Sequence, residues 1–450
     1  MFDVNIATVL IVSLLVMVGL GVHIAIALGM TSALGIFLIT GGNFDVVLAM
    51  LGSTAYEALR AYEFAVIPLF MLMGEFIGKS GAVTDVYLAI QRGLRRIPGR
   101  LAVATLLGNA IFSFVTGVSI ASAAAFSRIA YPEMKRFGYH RGFALGTIAG
   151  SSCLGMLIPP SVLMIVWGLL TERSIGQIFL AGVLPGLLLV SLFVTYVLLV
   201  ALLRPSLVGS GREQRPTAPV QPHHPDSAPG AARVWGSALG IVLVIVAVLG
   251  GIWFGVFTPT EGAGAGAFIG LLMAIAKGMR ARDVVDAILS VGRTSAPILL
   301  LLVSAALYSR TLAMTGVSTA IQDTFLGAEM LPWMIVAAMV GIWFVLGMVI
   351  DSISIMLLTV TIFEPIAVGL GYDPIAFAIV GILAIEAGLL TPPFGLLVYT
   401  VKAAIQDEED SVSIMHIFRS STPYWIIMLT CMIAIAAYPQ IATYLPGLVF

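Results

Sequence analysis

Residues 142–171 run for 30 positions without a charged side chain, yet their middle, Ser151 to Ser161, reads SSCLGMLIPPS. About 20 apolar residues suffice for a helix to cross a bilayer. The length therefore indicates a span. Gly155 and the pair Pro159-Pro160 indicate that the helix cannot pass through unbroken, because proline lacks an N–H and crowds the preceding turn. Backbone groups freed at membrane depth are tolerated only where protein or a wet cavity satisfies them. A simple kinked span is the plain alternative for one such motif; a second copy decides the matter. Residues 386–399 read EAGLLTPPFGLLVY, and Pro392 lies 233 positions after Pro159 (392 − 159). At that offset, without a gap, Ser119 meets Ser352, Pro132 meets Pro365, Gly138-Tyr139 meets Gly371-Tyr372 and Gly155 meets Gly388. Matches of Leu or Ala are cheap between apolar stretches, but ordered matches of Pro, Gly and Tyr are not. The chain reads as two related halves, each with an interrupted helix, and such pairs point to a transporter's binding site.

Composition agrees with a membrane setting. The chain is 60% hydrophobic and 10% charged, with a mean hydropathy of +1.07, far outside the soluble range. Its apolar runs are too long for barrel strands, which leaves an all-α polytopic membrane protein embedded in a lipid bilayer. A net charge of −1 without a basic patch gives no sign of a nucleic-acid partner. Cys153 and Cys431 both lie in apolar runs, which excludes a disulfide framework or a metal cluster. Cys153 reads as a small buried filler, and no organic cofactor is implied. The N-terminus lacks a basic leader, so an uncleaved first span is expected.

In chain order, 4–20 and 24–40 read as spans, 43–60 as an amphipathic stretch and 64–77 as part of a third span. Glu75, near the basic end of that span, is expected to be interfacial or salt-bridged. Residues 81–100 are amphipathic and basic. Residues 101–127 are apolar but broken by Asn109, Ser113, Thr116-Gly117 and Ser119; Arg92, Arg95, Arg96 and Arg100 precede them, and Lys135, Arg136 and Arg141 follow. Basic residues at both ends place both ends in the cytoplasm, so the segment enters and returns as a hairpin with its tip at 116–119. A span at 178–203 closes the first half. The Pro-rich stretch 204–233 cannot bury a core and reads as a flexible cytoplasmic linker; its His223-His224 is weak evidence for metal. The second half repeats the order: spans at 234–252 and 262–276, an amphipathic piece at 277–293, a span holding 297–308, a stretch at 314–330, a hairpin with its tip near 347–354, the second interruption, and a last span at 425–441.

The domain limits that follow are a first repeat at 1–203, with its hairpin at about 101–134 and broken helix at about 142–172, and a second at 234–450, with its hairpin at about 331–363 and broken helix at about 374–402. Matched loops differ in charge. Residues 81–100 and 135–141 are basic, while 314–330 and 368–374 carry no Lys or Arg; 43–60 is mildly acidic, while 277–293 is net basic. The halves are therefore expected to be inverted repeats, with both termini periplasmic and the linker inside.

Two hairpins entering from opposite faces bring their tips together near the midplane, each beside a broken helix. Carbonyl and hydroxyl oxygens there suit a hard cation such as sodium, and helix N-termini suit a carboxylate. The candidate site is Gly117, Val118, Ser119, Ser151, Ser152, Gly155 and Pro159 from one half, with Asp351, Ser352, Gly388, Thr391, Pro392 and Gly395 from the other. Taken singly, each Ser or Thr hydroxyl more often bonds back to its own helix. Asp351 is different, since a tip carboxylate in an otherwise charge-free run (341–363) needs a partner. Sodium is that partner in this reading, held through Ser119, Ser152, Asp351 and Thr391. Glu386, which matches Cys153, is placed as support, and Glu261 either lines the cavity or caps the helix after Pro259.

The strings GSSCLGMLIPPSVLMIVWG, FTPTEGAGAGA, LGMVIDSISIMLLT and GLLTPPFGLLVY, in this order, resemble the large membrane subunit of the TRAP (tripartite ATP-independent periplasmic) transporters over nearly the whole chain. The resemblance implies an elevator-type ion transporter fold in the bacterial inner membrane and sodium-coupled uptake of small organic acids: dicarboxylates, sugar acids or keto acids. It implies two partners, a periplasmic substrate-binding protein and a small four-helix membrane subunit. It also puts sodium and substrate at the hairpin tips and broken helices. Many members have a second serine where this chain has Val118, and asparagine where it has Leu397; both departures remove polar side chains near the site. A stand-alone sodium/carboxylate symporter of similar architecture is the alternative within the class. An intramembrane enzyme would need a nucleophile–base or acid pair at depth. His23, His140 and His416 sit at turns or loops and no His-Glu-x-x-His pattern occurs, so no catalytic residue and no enzyme activity are expected.

Overall fold

The computed structural model describes residues 4–209, 230–316, 330–405 and 412–450, together with Phe325 and Gly327. Most of the expected linker and most of 314–330 lie outside the described residues. Among those described, helices and short turns make up the whole architecture, with 7 helices long and apolar enough to cross a membrane, or 8 if one bent pair is counted as a single span.

The first half opens with α1 (Val4–Gly19), α2 (Ile24–Ile39) and α3 (Phe44–Arg60). Asn43 starts α3 by accepting from Asp45 N at 3.1 Å, the usual device for an orphan N-terminal donor. α4 (Val66–Lys79) follows at a 57° bend; Pro68 sits in its first turn, where a missing N–H costs least. Glu75 is paired with Lys79 at 3.0 Å, as expected of it. After α5 (Ala82–Gly93) come the two arms of the first hairpin, α6 (Arg100–Thr116) and α7 (Ser119–Ile129), and the short α8 (Tyr131–Arg136). The first broken helix is α9 (Arg141–Ser152), α10 (Leu154–Leu157) and α11 (Val162–Thr171), and α12 (Ile175–Leu203) completes the half.

The second half repeats the sequence of elements with one correction to the expected pattern. α13 (Ala231–Ile245) runs through a π-helical turn (Val246–Gly250) into α14 (Gly251–Trp253), and α15 (Pro259–Ala276) follows. The expected amphipathic piece at 277–293 and the span holding 297–308 are not separate. They form one 35-residue helix, α16 (Ala281–Thr315), with Pro297 inside it. Neighbouring helices and local adjustment make an interior proline tolerable in a membrane helix, so Pro297 does not mark a boundary. The second hairpin consists of α17 (Pro332–Gly347) and α18 (Ser352–Gly369); the second broken helix of α19 (Pro374–Gly388) and α20 (Leu396–Ala404). α21 (Ile414–Ala437) is longer than its expected core, and α22 (Gln440–Thr443) and α23 (Pro446–Val449) end the chain.

Packing sorts these helices into two bundles. One is a frame in which α4 packs on α15, and α2 and α3 on α16. Small residues allow the close approach: a Cβ on Gly266 would fall 2.6 Å from Met73 Sδ, and one on Gly35 would fall 2.5 Å from Thr311. The other bundle holds both hairpins, both broken helices, α12 and α21. The first broken helix is its axis, with 89% of its apolar window buried against 33% for α12. Gly142, Gly146 and Gly150, one helical turn apart, form the face that meets α21. A Cβ on Gly146 would sit 2.4 Å from Ser420 O, and one on Gly150 would sit 2.1 Å from the Tyr424 ring.

Candidate functional site

Each hairpin tip is fastened to the break of its own half. In the first half α6 ends at Gly117, whose φ of 61° lies in the left-handed region. A Cβ there would fall 2.4 Å from Pro160 O. Gly117 O accepts from Val162 N at 3.1 Å, just past the break. Gly155 supplies the second close approach: a Cβ on it would lie 2.9 Å from the backbone of Ser119. In the second half the corresponding bonds run from Phe394 N at 3.1 Å and Gly395 N at 3.4 Å to Met348 O. There Gly388 and Gly347 face each other, with room for a Cβ on neither (2.7 Å). The Pro159-Pro160 and Pro392-Pro393 bonds are both cis.

The tips meet through Glu386. Ser119, the first residue of α7, donates to Glu386 Oε2 at 2.6 Å, and Ser352, the first residue of α18, donates to Oε1 at 2.9 Å. These serines are counterparts at the 233-residue offset (352 − 119). Glu386 is 1% exposed and stands on α19 two residues before its end at Gly388. The carboxylate placed as support is thus the group that joins the two halves. Its residue touches its own counterpart, since Cys153 Sγ lies 3.8 Å from Glu386 O.

The other candidate residues have mostly local partners. Ser151 accepts from Asn109 Nδ2 at 2.5 Å, a contact between α9 and the first hairpin. Ser152 donates to Ala149 O and Thr391 to Gly388 O, each at 2.6 Å. Asp351 caps α18 by accepting from Ser354 N at 3.1 Å. Glu261 forms a capping box with Thr258 and is exposed, so it does not line the site. Val118 is extended and offers α7 no side-chain cap. Leu397 is buried, and its N–H spans the second break to Leu389 O at 3.3 Å.

Asn109 and Ser122 are the residues that sequence reasoning passed over. Asn109 Oδ1 and Ser122 Oγ are fully buried and have no hydrogen-bond partner among the described residues. Asn109 is visible in the sequence as a polar interruption of an apolar arm; Ser122 carries no such signal. A buried acceptor without a donor is unusual, and hydroxyls that donate to a carbonyl keep lone pairs free. Free oxygens of this kind, on Asn109 and Ser122 in the first hairpin, are the type a hard, oxygen-loving cation takes. The hydroxyls of Ser119 and Ser352, the first residues of α7 and α18, both donate to the same carboxylate, and helix N-termini of this kind suit an anionic group.

Residues 11–441 match the model of the tripartite ATP-independent periplasmic transporter family, DctM component. The chain is 29% identical over 423 residues, 94% of each protein, to the C4-dicarboxylate TRAP transporter large permease protein DctM of Pseudomonas aeruginosa. It is 28% identical to the ectoine/5-hydroxyectoine TRAP transporter large permease protein UehC of Ruegeria pomeroyi, covering 87% of this chain and 88% of that protein. Among solved structures, the Alcanivorax borkumensis YdaH transporter shares the fold, with a TM-score of 0.63 over 89% of both chains at 13% identity.

Proposed function

Because the chain belongs to the DctM family, the large permease components of TRAP transporters, we propose that it is the sodium-driven membrane unit of an importer of small organic acids. It is a multi-pass membrane transporter and not an enzyme. Such a permease works with a small membrane subunit and a periplasmic binding protein. In this reading the bundle of hairpins and broken helices moves past the frame as an elevator in the inner membrane. The halves are inverted, the termini are periplasmic and the linker is cytoplasmic.

The observation that carries the reading is the meeting of two hairpin tips and two helix breaks around one buried carboxylate. Sodium is held by Ser119, Ser152, Asp351 and Thr391, with the carbonyls at the breaks and the unpartnered Asn109 and Ser122 oxygens completing its shell. Gly117, Val118, Ser151, Gly155 and Pro159, with Ser352, Gly388, Pro392 and Gly395, shape the same cavity, and the paired helix N-termini take the substrate carboxylate. Relatives are named for C4-dicarboxylates and for ectoine; in this reading the binding protein shares in choosing the substrate.

The test is reconstitution in liposomes with both partners and an inward sodium gradient, offering labelled succinate and ectoine. Uptake that needs sodium and all three components is expected. Uptake by this chain alone would favour a stand-alone symporter; partner-dependent uptake indifferent to sodium would end the sodium reading.

A further inference from the structure

Glu386 breaks the symmetry of the repeat. Its counterpart Cys153 (386 − 153 = 233) has no comparable polar reach, so one carboxylate does for both halves what two would do in a symmetrical site. The side chain is sealed, with 1% exposure. One of its oxygens takes a hydroxyl from the first hairpin, the other a hydroxyl from the second. Each of those hydroxyls sits on the first residue of a hairpin's second arm, immediately after a tip that is bonded to its own break. Ser119 is also pressed against Gly155 of the first broken helix. Four elements therefore converge on this residue: α7, α18, α19 and, through Gly155, α10.

We infer that Glu386 is a positioning residue that ties the two hairpin tips together, so that the state of one half-site is felt at the other. This rests on the transporter reading for its meaning, but not for its test. A carboxylate bridging two hydroxyls holds both at fixed separation. If one hydroxyl is lost, the carboxylate is free to turn, and the remaining serine loses its fixed acceptor. Loosening at one tip then appears at the other, although the tips belong to different halves and lie 233 residues apart.

Hydrogen exchange on the purified full-length chain in detergent reads this directly. Ser352→Ala should speed exchange in peptides covering 112–122, and Ser119→Ala should speed it in peptides covering 346–354, each by roughly tenfold, as expected for a lost charge-assisted bond. Glu386→Ala should loosen both tips, and in that background neither serine substitution should add more. Glu386→Gln, of the same size and able to hold one hydroxyl as acceptor, covers the case in which the alanine variant does not fold; it should loosen both tips less. Changes confined to the tip that carries the substitution, or serine effects that persist without Glu386, would overturn the inference. Because exchange needs no substrate, partner or ion, that result is separable from a failure of sodium-driven uptake, which would strike the proposed function instead.

Discussion

The two helix breaks share a glycine and a Pro-Pro pair in register and lead opposite lives. Ser161 and Phe394 are counterparts (394 − 161 = 233), yet Ser161 is 0% exposed and Phe394 is 57% exposed. The first break is roofed by α12, where a Cβ on Gly182 would fall 2.7 Å from Leu157 O and one on Gly186 would fall 3.0 Å from Ile158. The second break is met by α21 in the same way, since Ser421 Oγ donates to Leu390 O at 3.3 Å and a Cβ on Gly395 would fall 2.4 Å from the Phe418 ring, yet Phe394 beside it stays open. The repeat thus fixes how a tip meets a break and how the next long helix lies on it, while the residue after the proline pair, Ser161 or Phe394, decides whether the break is sealed or open. That is the asymmetry a carrier needs if one side of its site is to open while the other stays shut.

The strongest way to break the comparison is to give the first half the residues of the second. Gly142, Gly146 and Gly150 correspond to Ile375, Ile379 and Leu383. Gly146→Ile or Gly150→Leu would drive a branched side chain into the Ser420 backbone or the Tyr424 ring. Overpacking costs about 1–3 kcal/mol and more where backbone must move. Loss of a monodisperse peak in detergent, with no uptake, is expected. A variant that stayed monodisperse would mean that α21 can slide off α9, and that the glycine face is not what sets their distance.

Next in size is accessibility. Phe394→Cys should react with a maleimide roughly tenfold or more faster than Ser161→Cys, since reagent reaches the latter only through local opening. Cys153 and Cys431 are buried and add little background. Equal rates would erase the difference between the breaks. The same chemistry tests inversion. Cysteines at the turns of Gly138, half-buried, and Gly371, exposed, should be labelled by an impermeant reagent from the cytoplasmic and periplasmic sides respectively, and same-side labelling would sink the inverted-repeat reading.

Much of this was legible in the chain, because hairpins and breaks are made by residues with strong backbone preferences. Pro159-Pro160, Pro392-Pro393, Gly117 and Gly155 announce where a helix must stop, and the 233-residue offset pairs them without any structure. What could not be read depends on neighbours. Pro297 resembles Pro68 in sequence but stands inside α16, because helix–helix packing overrides a local breaker. The tie at Glu386 joins residues 267 positions apart (386 − 119), a separation that periodicity cannot bridge. The pattern showed only that a carboxylate had replaced a cysteine. The glycine face of α9 was in plain sight at spacings of four, but nothing local says that an α21 will come to fill it.

The finest contrast lies at the tips themselves. Asp351 and Val118 are counterparts (351 − 118 = 233), and each precedes the first residue of a second hairpin arm. Asp351 caps its helix, whereas Val118 leaves α7 uncapped by a side chain. Aspartate and asparagine cap almost equally well, and valine poorly, a difference of about 1 kcal/mol. Asp351→Asn should therefore leave the melting temperature nearly unchanged, Asp351→Val should lower it, and Val118→Ser should raise it by the equivalent of at most about 1 kcal/mol. The asparagine variant also separates cap from ion ligand. Its side chain keeps the cap but gives up the charge, so in the sodium reading it raises the sodium concentration needed for half-maximal uptake while stability stays level. An unchanged sodium response would leave Asp351 only its cap, and would confine the carboxylate chemistry of the site to Glu386.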